Sequence, residues 1–289
     1  MGRTILITGC SSGIGLATAL AFAESGDTVI ATMRDPARGH ALREAAKARG
    51  LTIEIAALDV TRSASFAPFV ADLIARHGRI DVLVNNAGML PVGAFEDMDE
   101  AEIRRVMETN FFGGALLTRA VLPTMRAQRG GYVIMISSLS GLAGRGGDAI
   151  YAASKFALEG LAEALRQEVA RWNIHVALVE PAGFSTNLFT DAANGMTGAS
   201  SPASPYHPLI AAQQAEHARN ADKGFAPDTL GRLIVDISRS DGSQLRWAAD
   251  PVAERVMAKL LAGDDAGRMR FLDDVADIGW WVKGADGPG

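Results

Sequence analysis

Tyr151 and Lys155 stand four residues apart in a stretch of helical periodicity, so they share a face and an ammonium can sit beside a phenol. A free tyrosine titrates near pKa ~10, and a neighbouring cation favours the phenolate, moving the group towards the pH at which it can exchange a proton. Tyr151 is therefore expected to act as an acid/base. Ser138 lies 13 positions earlier, at the carboxyl end of an expected strand, where its hydroxyl can hold a substrate oxygen. Each residue also has an ordinary reading: a helix-start aromatic, a solvated charge, a strand-end hydroxyl. Their joint spacing is what favours chemistry.

A second chemistry-bearing run is Thr8-Gly9-Cys10-Ser11-Ser12-Gly13-Ile14-Gly15, which follows an apolar strand and opens a helix. Glycines at this spacing permit a tight turn and let the backbone approach a pyrophosphate. The helix start adds free N–H groups and a positive dipole end. No Gly-Lys-Ser/Thr follows, which excludes a nucleoside triphosphate loop.

The elements that must position these residues follow from hydrophobic period. Strands are expected at Thr4 to Thr8, Thr28 to Met33, Thr52 to Leu58, Asp81 to Asn85, Tyr132 to Ser137, Ile174 to Glu180 and Met269 to Leu272. Helices are expected near Ile14 to Glu24, His40 to Arg49, Ser63 to Arg76, Glu100 to Arg126, Tyr151 to Arg171 and Pro251 to Leu261. Such alternation predicts a doubly wound α/β fold, a parallel seven-stranded sheet with helices on both faces. One domain is expected over 1–289, with a substrate flap or insert at 187–249 and a tail at 273–289, where Trp280 and Trp281 cap the pocket, dock into a partner subunit or, the favoured reading, anchor the tail.

The wide glycine spacing, together with Asn85-Asn86-Ala87-Gly88 after the fourth strand, resembles the short-chain dehydrogenase/reductase family. Asn110 in Asn-Phe-Phe-Gly, Ser138 at the end of the fifth strand and Tyr151-Ala-Ala-Ser-Lys155 match in order and spacing, so the likeness spans roughly residues 4 to 186. It implies a Rossmann-type fold and a catalytic set of Asn110, Ser138, Tyr151 and Lys155, with Asn110 holding a water that links Lys155 to solvent. Ser137, Ser140 and Ser154 lie off the 13-residue spacing. The resemblance also implies that Gly9, Ser11, Ser12, Gly13, Ile14, Gly15, Asp59, Val60, Asn86, Ala87, Gly88, Tyr151, Lys155 and Pro181 hold a dinucleotide. Where the family has Pro-Gly before a threonine that bonds the nicotinamide amide, this chain reads Pro181-Ala182-Gly183-Phe184-Ser185-Thr186, with Thr186 as the candidate.

At the end of the second strand an acidic residue would repel a 2′-phosphate, and here Met33 is followed by Arg34, which can pair with one. NADP is accordingly expected over NAD. Leu142, Phe184, Leu188 and Phe189 are candidate walls of an apolar pocket, or equally core. The opening segment looks like the steroid, retinol and carbonyl-reducing members, which implies a ketone or secondary alcohol with apolar bulk. Family members also pair two helices across a two-fold axis, so a homodimer or homotetramer is expected, with Phe111, Phe112, Ala157, Leu161, Ala164 and Leu165 as contact candidates.

Composition sets the bounds. Of 289 residues 48% are hydrophobic and 21% charged, the balance of a folded chain, and the net charge is −5 with no basic block for nucleic acid. Cys10 is the only cysteine, the five histidines form no metal pattern, and no membrane span or leader is recognisable, so a cytoplasmic protein without a metal is expected. The alternatives are an NAD-dependent dehydrogenase of the same family and a non-catalytic dinucleotide-sensing protein; an epimerase or dehydratase on nucleotide sugars is disfavoured by the spacing of the catalytic set and the lack of a clear large second domain.

Overall fold

The computed structural model describes residues 2–182, 201–220 and 225–262. Seven parallel strands form one sheet in the order β3-β2-β1-β4-β5-β6-β7. They are β1 (Thr4–Ile7), β2 (Thr28–Met33), β3 (Glu54–Ala57), β4 (Val82–Asn85), β5 (Gly131–Ile136), β6 (Ile174–Glu180) and β7 (Arg246–Ala248). Helices α1 (Gly13–Glu24), α2 (His40–Ala48), α3 (Phe66–His77), α4 (Glu100–Met107), α5 (Gly113–Gln128) and α6 (Ala149–Val169) alternate with the strands. Three more, α7 (His207–Asn220), α8 (Pro227–Ile237) and α9 (Pro251–Ala262), lie among the later described residues.

The central strands are covered on both faces, which is why they read as unbroken apolar runs rather than alternating ones. Successive side chains still divide between two cores. Ile5 and Ile7 of β1 join Phe22, Leu42 and Ile234 under α1, α2 and α8, whereas Leu6 joins Leu73, Leu117 and Leu158 under α3, α5 and α6. Gly231 of α8 lies against α1 so closely that a Cβ there would meet the Ala17 carbonyl oxygen at 2.8 Å. Strand order reverses at β1, whose neighbours are β2 and β4. After β1 the chain turns to one face of the sheet and after β4 to the other, and at such a switch point α/β sheets carry their binding crevice, at the carboxyl edge.

Six strands lie within two residues of the expected runs, and the seventh does not. It is the three-residue β7, inside the segment expected as a flap or insert, while Met269 to Leu272, Trp280 and Trp281 fall outside the described residues. Arg-Trp-Ala carries no apolar run to betray a strand. The expected helix from Glu100 to Arg126 is also broken: a π-helical turn, Glu108–Phe112, separates α4 from α5 and holds the buried Asn110. Extra backbone in such a turn re-aims a side chain, and these turns recur at functional sites.

Candidate active site

The first wall of the crevice is built from backbone. Gly9 has φ +72° and Gly13 has φ +57°, and a Cβ at Gly15 would lie 2.3 Å from the Gly9 carbonyl oxygen. Only glycine permits that turn and that contact. Ser12, which precedes α1, makes no side-chain cap bond, and the first turn carries no acid, so the N–H groups of the helix start are left to an anion. This cradle fits the pyrophosphate of a dinucleotide. Asn86 braces it, donating from Nδ2 to the carbonyls of Thr8 at 2.8 Å and Gly9 at 3.1 Å, while the Thr8 hydroxyl accepts from the Asn86 and Ala87 N–H groups, each at 3.0 Å. Asn86 is thus committed to the loop itself.

At the end of β2 Met33 is buried and Arg34 exposed, while the neighbouring Asp35 carboxylate accepts from the Ala37 N–H at 2.9 Å. Arg34 and Arg62 both lie in electrostatic reach of Asp59. Burial pushes the Asp59 carboxyl up, but hydrogen bonds from Thr61 and the two cations outweigh it and hold its pKa below the ordinary value. Val60 packs its backbone against Gly113, where a Cβ would come within 2.8 Å of the Val60 carbonyl oxygen.

The second wall holds the reacting groups. Ser138 follows β5 and caps a 3-10 turn, Leu139–Gly141, its hydroxyl accepting from the Ser140 N–H at 3.1 Å. The same hydroxyl acts on the Tyr151 phenol, which projects from the first turns of α6, and works to lower its pKa. Lys155, one turn on, places Nζ 5.6 Å from the centre of the Tyr151 ring and donates to the Ile136 carbonyl at 2.8 Å. Gly88 closes the set, since a Cβ there would sit 3.6 Å from Asn110 Oδ1 and 3.9 Å from Lys155 Nζ.

The electrostatics correct one expectation. Burial first, with nearby Asp148 adding to it, pushes the Tyr151 phenol up to about 12, although the Ser138 hydroxyl and Arg145 pull the other way. Lys155 is not what moves it: the amine is itself buried, which lowers its pKa to about 8, and its hydrogen bond goes to the backbone. Asn110 is likewise engaged. Its Oδ1 accepts from the Met89 N–H at 2.8 Å, and its Nδ2 donates to the Met89 carbonyl at 2.9 Å and the Ser154 hydroxyl at 3.1 Å.

Not every expected residue joins the site. Leu142 is buried against Ala143, Met257 and Leu260, which assigns it to the packing of the β5–α6 loop on α9. Pro181 follows the last residue of β6, and its carbonyl accepts from the Leu139 N–H at 3.4 Å. Phe184, Thr186, Leu188 and Phe189 lie outside the described residues.

Other polar residues were missed. Asp148, nearly fully buried, receives Arg145 Nε at 3.1 Å and Nη2 at 2.8 Å beside Tyr151. Gln213 of α7 donates to the Gly146 carbonyl in the same loop. Asp250 caps α9 through the Val252 and Ala253 N–H groups, both at 2.9 Å, and its other oxygen accepts from Ala182 N at 3.0 Å, steadying the loop after β6. Asp250-Pro251 signals the helix cap from sequence, but the reach back to Ala182 has no local signal.

The family model for short chain dehydrogenases matches residues 3–196. The chain belongs to the short-chain dehydrogenase family. Human retinol dehydrogenase 8 is 46% identical over 183 residues, which cover 62% of this chain and 58% of that protein, so the likeness spans little more than half of the relative. The 3-ketodihydrosphingosine reductase of Bacteroides thetaiotaomicron is 39% identical over 259 residues, 89% of this chain and 91% of that one. Among solved structures, a short-chain dehydrogenase from Streptomyces avermitilis superposes with a TM-score of 0.76 at 37% identity, covering 98% of this chain and 96% of that one. A metagenomic short-chain oxidoreductase in complex with NADP gives 0.67 at 28% identity over 86% of this chain and 96% of that one. No helix among the described residues is long and apolar enough to cross a membrane.

Proposed function

We propose that this protein is an NADP-dependent oxidoreductase acting between a ketone and a secondary alcohol of a largely apolar substrate, with Tyr151 as its acid/base. The observation that carries the reading is the Tyr151 phenol, within the influence of the Ser138 hydroxyl and flanked by Lys155, at the carboxyl edge of a sheet whose first loop is a glycine cradle. NADPH, when bound, supplies the hydride. Gly9 to Gly15 would hold its pyrophosphate and Arg34 its 2′-phosphate. As the carbonyl carbon is reduced, its oxygen gains negative charge. The Ser138 hydroxyl steadies that charge and Tyr151 gives it a proton. A phenol pushed up to about 12 is fully protonated at neutral pH, the state a proton donor needs. Lys155 Nζ, beside Tyr151 and Gly88, is placed to bind a ribose hydroxyl.

The relatives named for retinol and for 3-ketodihydrosphingosine support a carbonyl or alcohol on an apolar body as the substrate class. Turnover of apolar ketones and alcohols with NADPH/NADP and NADH/NAD tests the proposal. Tight NADPH binding without turnover of any of them would favour a dinucleotide sensor instead.

The same reading includes self-association. Leu165, a contact candidate, is buried in this chain's own core and Leu161 is half-buried against it, so neither is free for a partner. The open stripe of α6 is instead Ala153, Phe156, Gly160 and Ala164, with Phe156 44% exposed. This stripe would bury itself against a second copy. Phe156→Glu should then convert a dimer or tetramer to the 30.4 kDa monomer in sedimentation equilibrium. A wild type that already sediments as a monomer at every concentration would end this part of the reading.

A further inference from the structure

We propose that Glu159 is the positioning residue that sets the charge of Lys155, a buried carboxylate one turn below the amine and clamped between β5 and β7. The inference rests on the reading of Lys155 as Tyr151's partner, but concerns a residue outside that site. Glu159 follows Lys155 by four positions on α6, so the two share a face, and it is only 4% exposed. Its Oε1 accepts from the Ser137 hydroxyl at 2.5 Å and its Oε2 from Arg246 Nε at 3.0 Å. Gly141 roofs the cluster, since a Cβ there would lie 2.7 Å from Ser137 Oγ and 3.0 Å from Glu159 Cγ. One carboxylate thereby ties the strand end that carries Ser138 to the helix that carries Tyr151 and Lys155.

A buried carboxylate costs free energy, so what compensates it matters. The charged and titratable groups facing it are Lys155 and Glu163 from α6, Glu180 from β6 and Arg246 from β7. Glu180 has no exposure. Its Oε2 accepts from the Trp247 N–H at 3.0 Å, and its Oε1 makes no hydrogen bond. Burial, and then the charge of Glu159, push Glu180 to about 9, although Arg246 Nε, 3.6 Å from its Oε1, pulls the other way; Arg246 lies closer to Glu159, at 3.0 Å, and to the half-exposed Glu163, at 2.6 Å. Burial also raises the Glu159 pKa, while the Ser137 hydrogen bond and Arg246 resist. Lys155 feels the result: burial takes it down to about 8, and the Glu159 charge is what opposes the fall.

The chain has five lysines, so 13Cε-labelled lysine gives a simple spectrum in which Lys155 is assigned by its loss in Lys155→Arg. Titrated without substrate or cofactor, the Lys155 midpoint should fall by about one pH unit in Glu159→Gln and by less in Glu159→Asp. Glu168→Gln, on the exposed side of the same helix, should leave it in place. Ser137→Ala, which weakens the hold on the carboxylate, should lower it as well, and serves if Glu159→Gln does not fold. An unchanged midpoint in either folded variant overturns the proposal. The wild type alone also decides, because its Lys155 signal must show a second, acid inflection as Glu159 takes up its proton, and a flat acid limb overturns the proposal too. This readout needs no turnover, so an inactive protein would sink the proposed function and leave this inference standing.

Discussion

The two walls of the crevice are built by opposite means. On the nucleotide side, β1 and the start of α1 position a ligand with backbone, and the side chains that help are neutral: Thr8 and Asn86 tie the loop, while the charged Arg34 stands in solvent. On the catalytic side, β5, β6, β7 and α6 enclose Lys155, Glu159 and Glu180, three ionisable groups with at most 5% exposure. A diphosphate brings its own charge, so its site needs only open N–H groups and room. Proton transfer needs a group whose charge state is set in advance, and setting it requires burial.

If that contrast is right, the catalytic wall fails chemically without failing structurally. Tyr151→Phe keeps the ring over Lys155 and removes only the hydroxyl, so turnover should fall by about 10²–10⁴-fold while NADPH affinity stays within a small factor. Stopped assays paired with fluorescence titration of the cofactor measure both, and near wild-type turnover would refute the acid/base role. The nucleotide wall should fail the other way. Gly15→Ala drives a methyl group to 2.3 Å from the Gly9 carbonyl oxygen and 2.5 Å from Asn86 Nδ2. Backbone cannot yield cheaply there, so cofactor affinity should collapse with a loss of stability of about 1–3 kcal/mol. Unaltered NADPH binding in that variant would show that the loop is not the cradle.

The same contrast explains what the sequence discloses. Gly9, Gly13 and Gly15 are legible because a positive φ or a backbone contact leaves no other residue type possible, so the constraint is written into the letters. Tyr151, Lys155 and Ser138 are legible as a spacing, but the direction of the Tyr151 shift is not. An ammonium four residues away argues for a lower pKa, whereas burial, which depends on the whole fold, raises it. Glu159 carries no signal in its own stretch of sequence, because its partner Arg246 lies far along the chain. β7 is hard to read because it is only three residues long and its arginine serves carboxylates rather than core. Helix α8 could have been found, since Leu230, Ile234 and Ile237 recur at helical spacing after Pro227, and its glycine is a packing contact rather than a break.

A smaller effect is expected where the nucleotide wall does use charge. Arg34→Asp with Met33 unchanged replaces a charge-assisted pair with repulsion, at a cost of about 2–3 kcal/mol in NADPH affinity. NADH, which lacks the 2′-phosphate, should bind nearly as before. Equal wild-type affinity for the two cofactors in calorimetry would remove the basis for NADP preference.

The effect at Glu180 is spread over several pH units, and its sign is the sharpest check on the buried-charge side. Its folded pKa, about 9, is raised above the ordinary carboxyl value, so the native protein keeps a proton that the unfolded chain gives up near pH 4.3. The associated stability is complete below the unfolded value and is lost as pH rises towards 9, at no more than about 1.4 kcal/mol per pH unit and less where Glu159 shares the titration. Glu180→Gln abolishes that loss, because the amide stays neutral and its oxygen can still accept from the Trp247 N–H. Thermal unfolding should therefore find variant and wild type close near pH 4–5, with the variant pulling ahead by about 2–4 °C for each kcal/mol as pH climbs to 9 and keeping a constant lead above it. A variant that is uniformly less stable, with no change of gap across that window, would mean that Glu180 is ionised in the folded protein and pairs with Arg246. The catalytic wall would then hold its groups by ordinary ion pairs, and the contrast with the nucleotide wall would lose its physical basis.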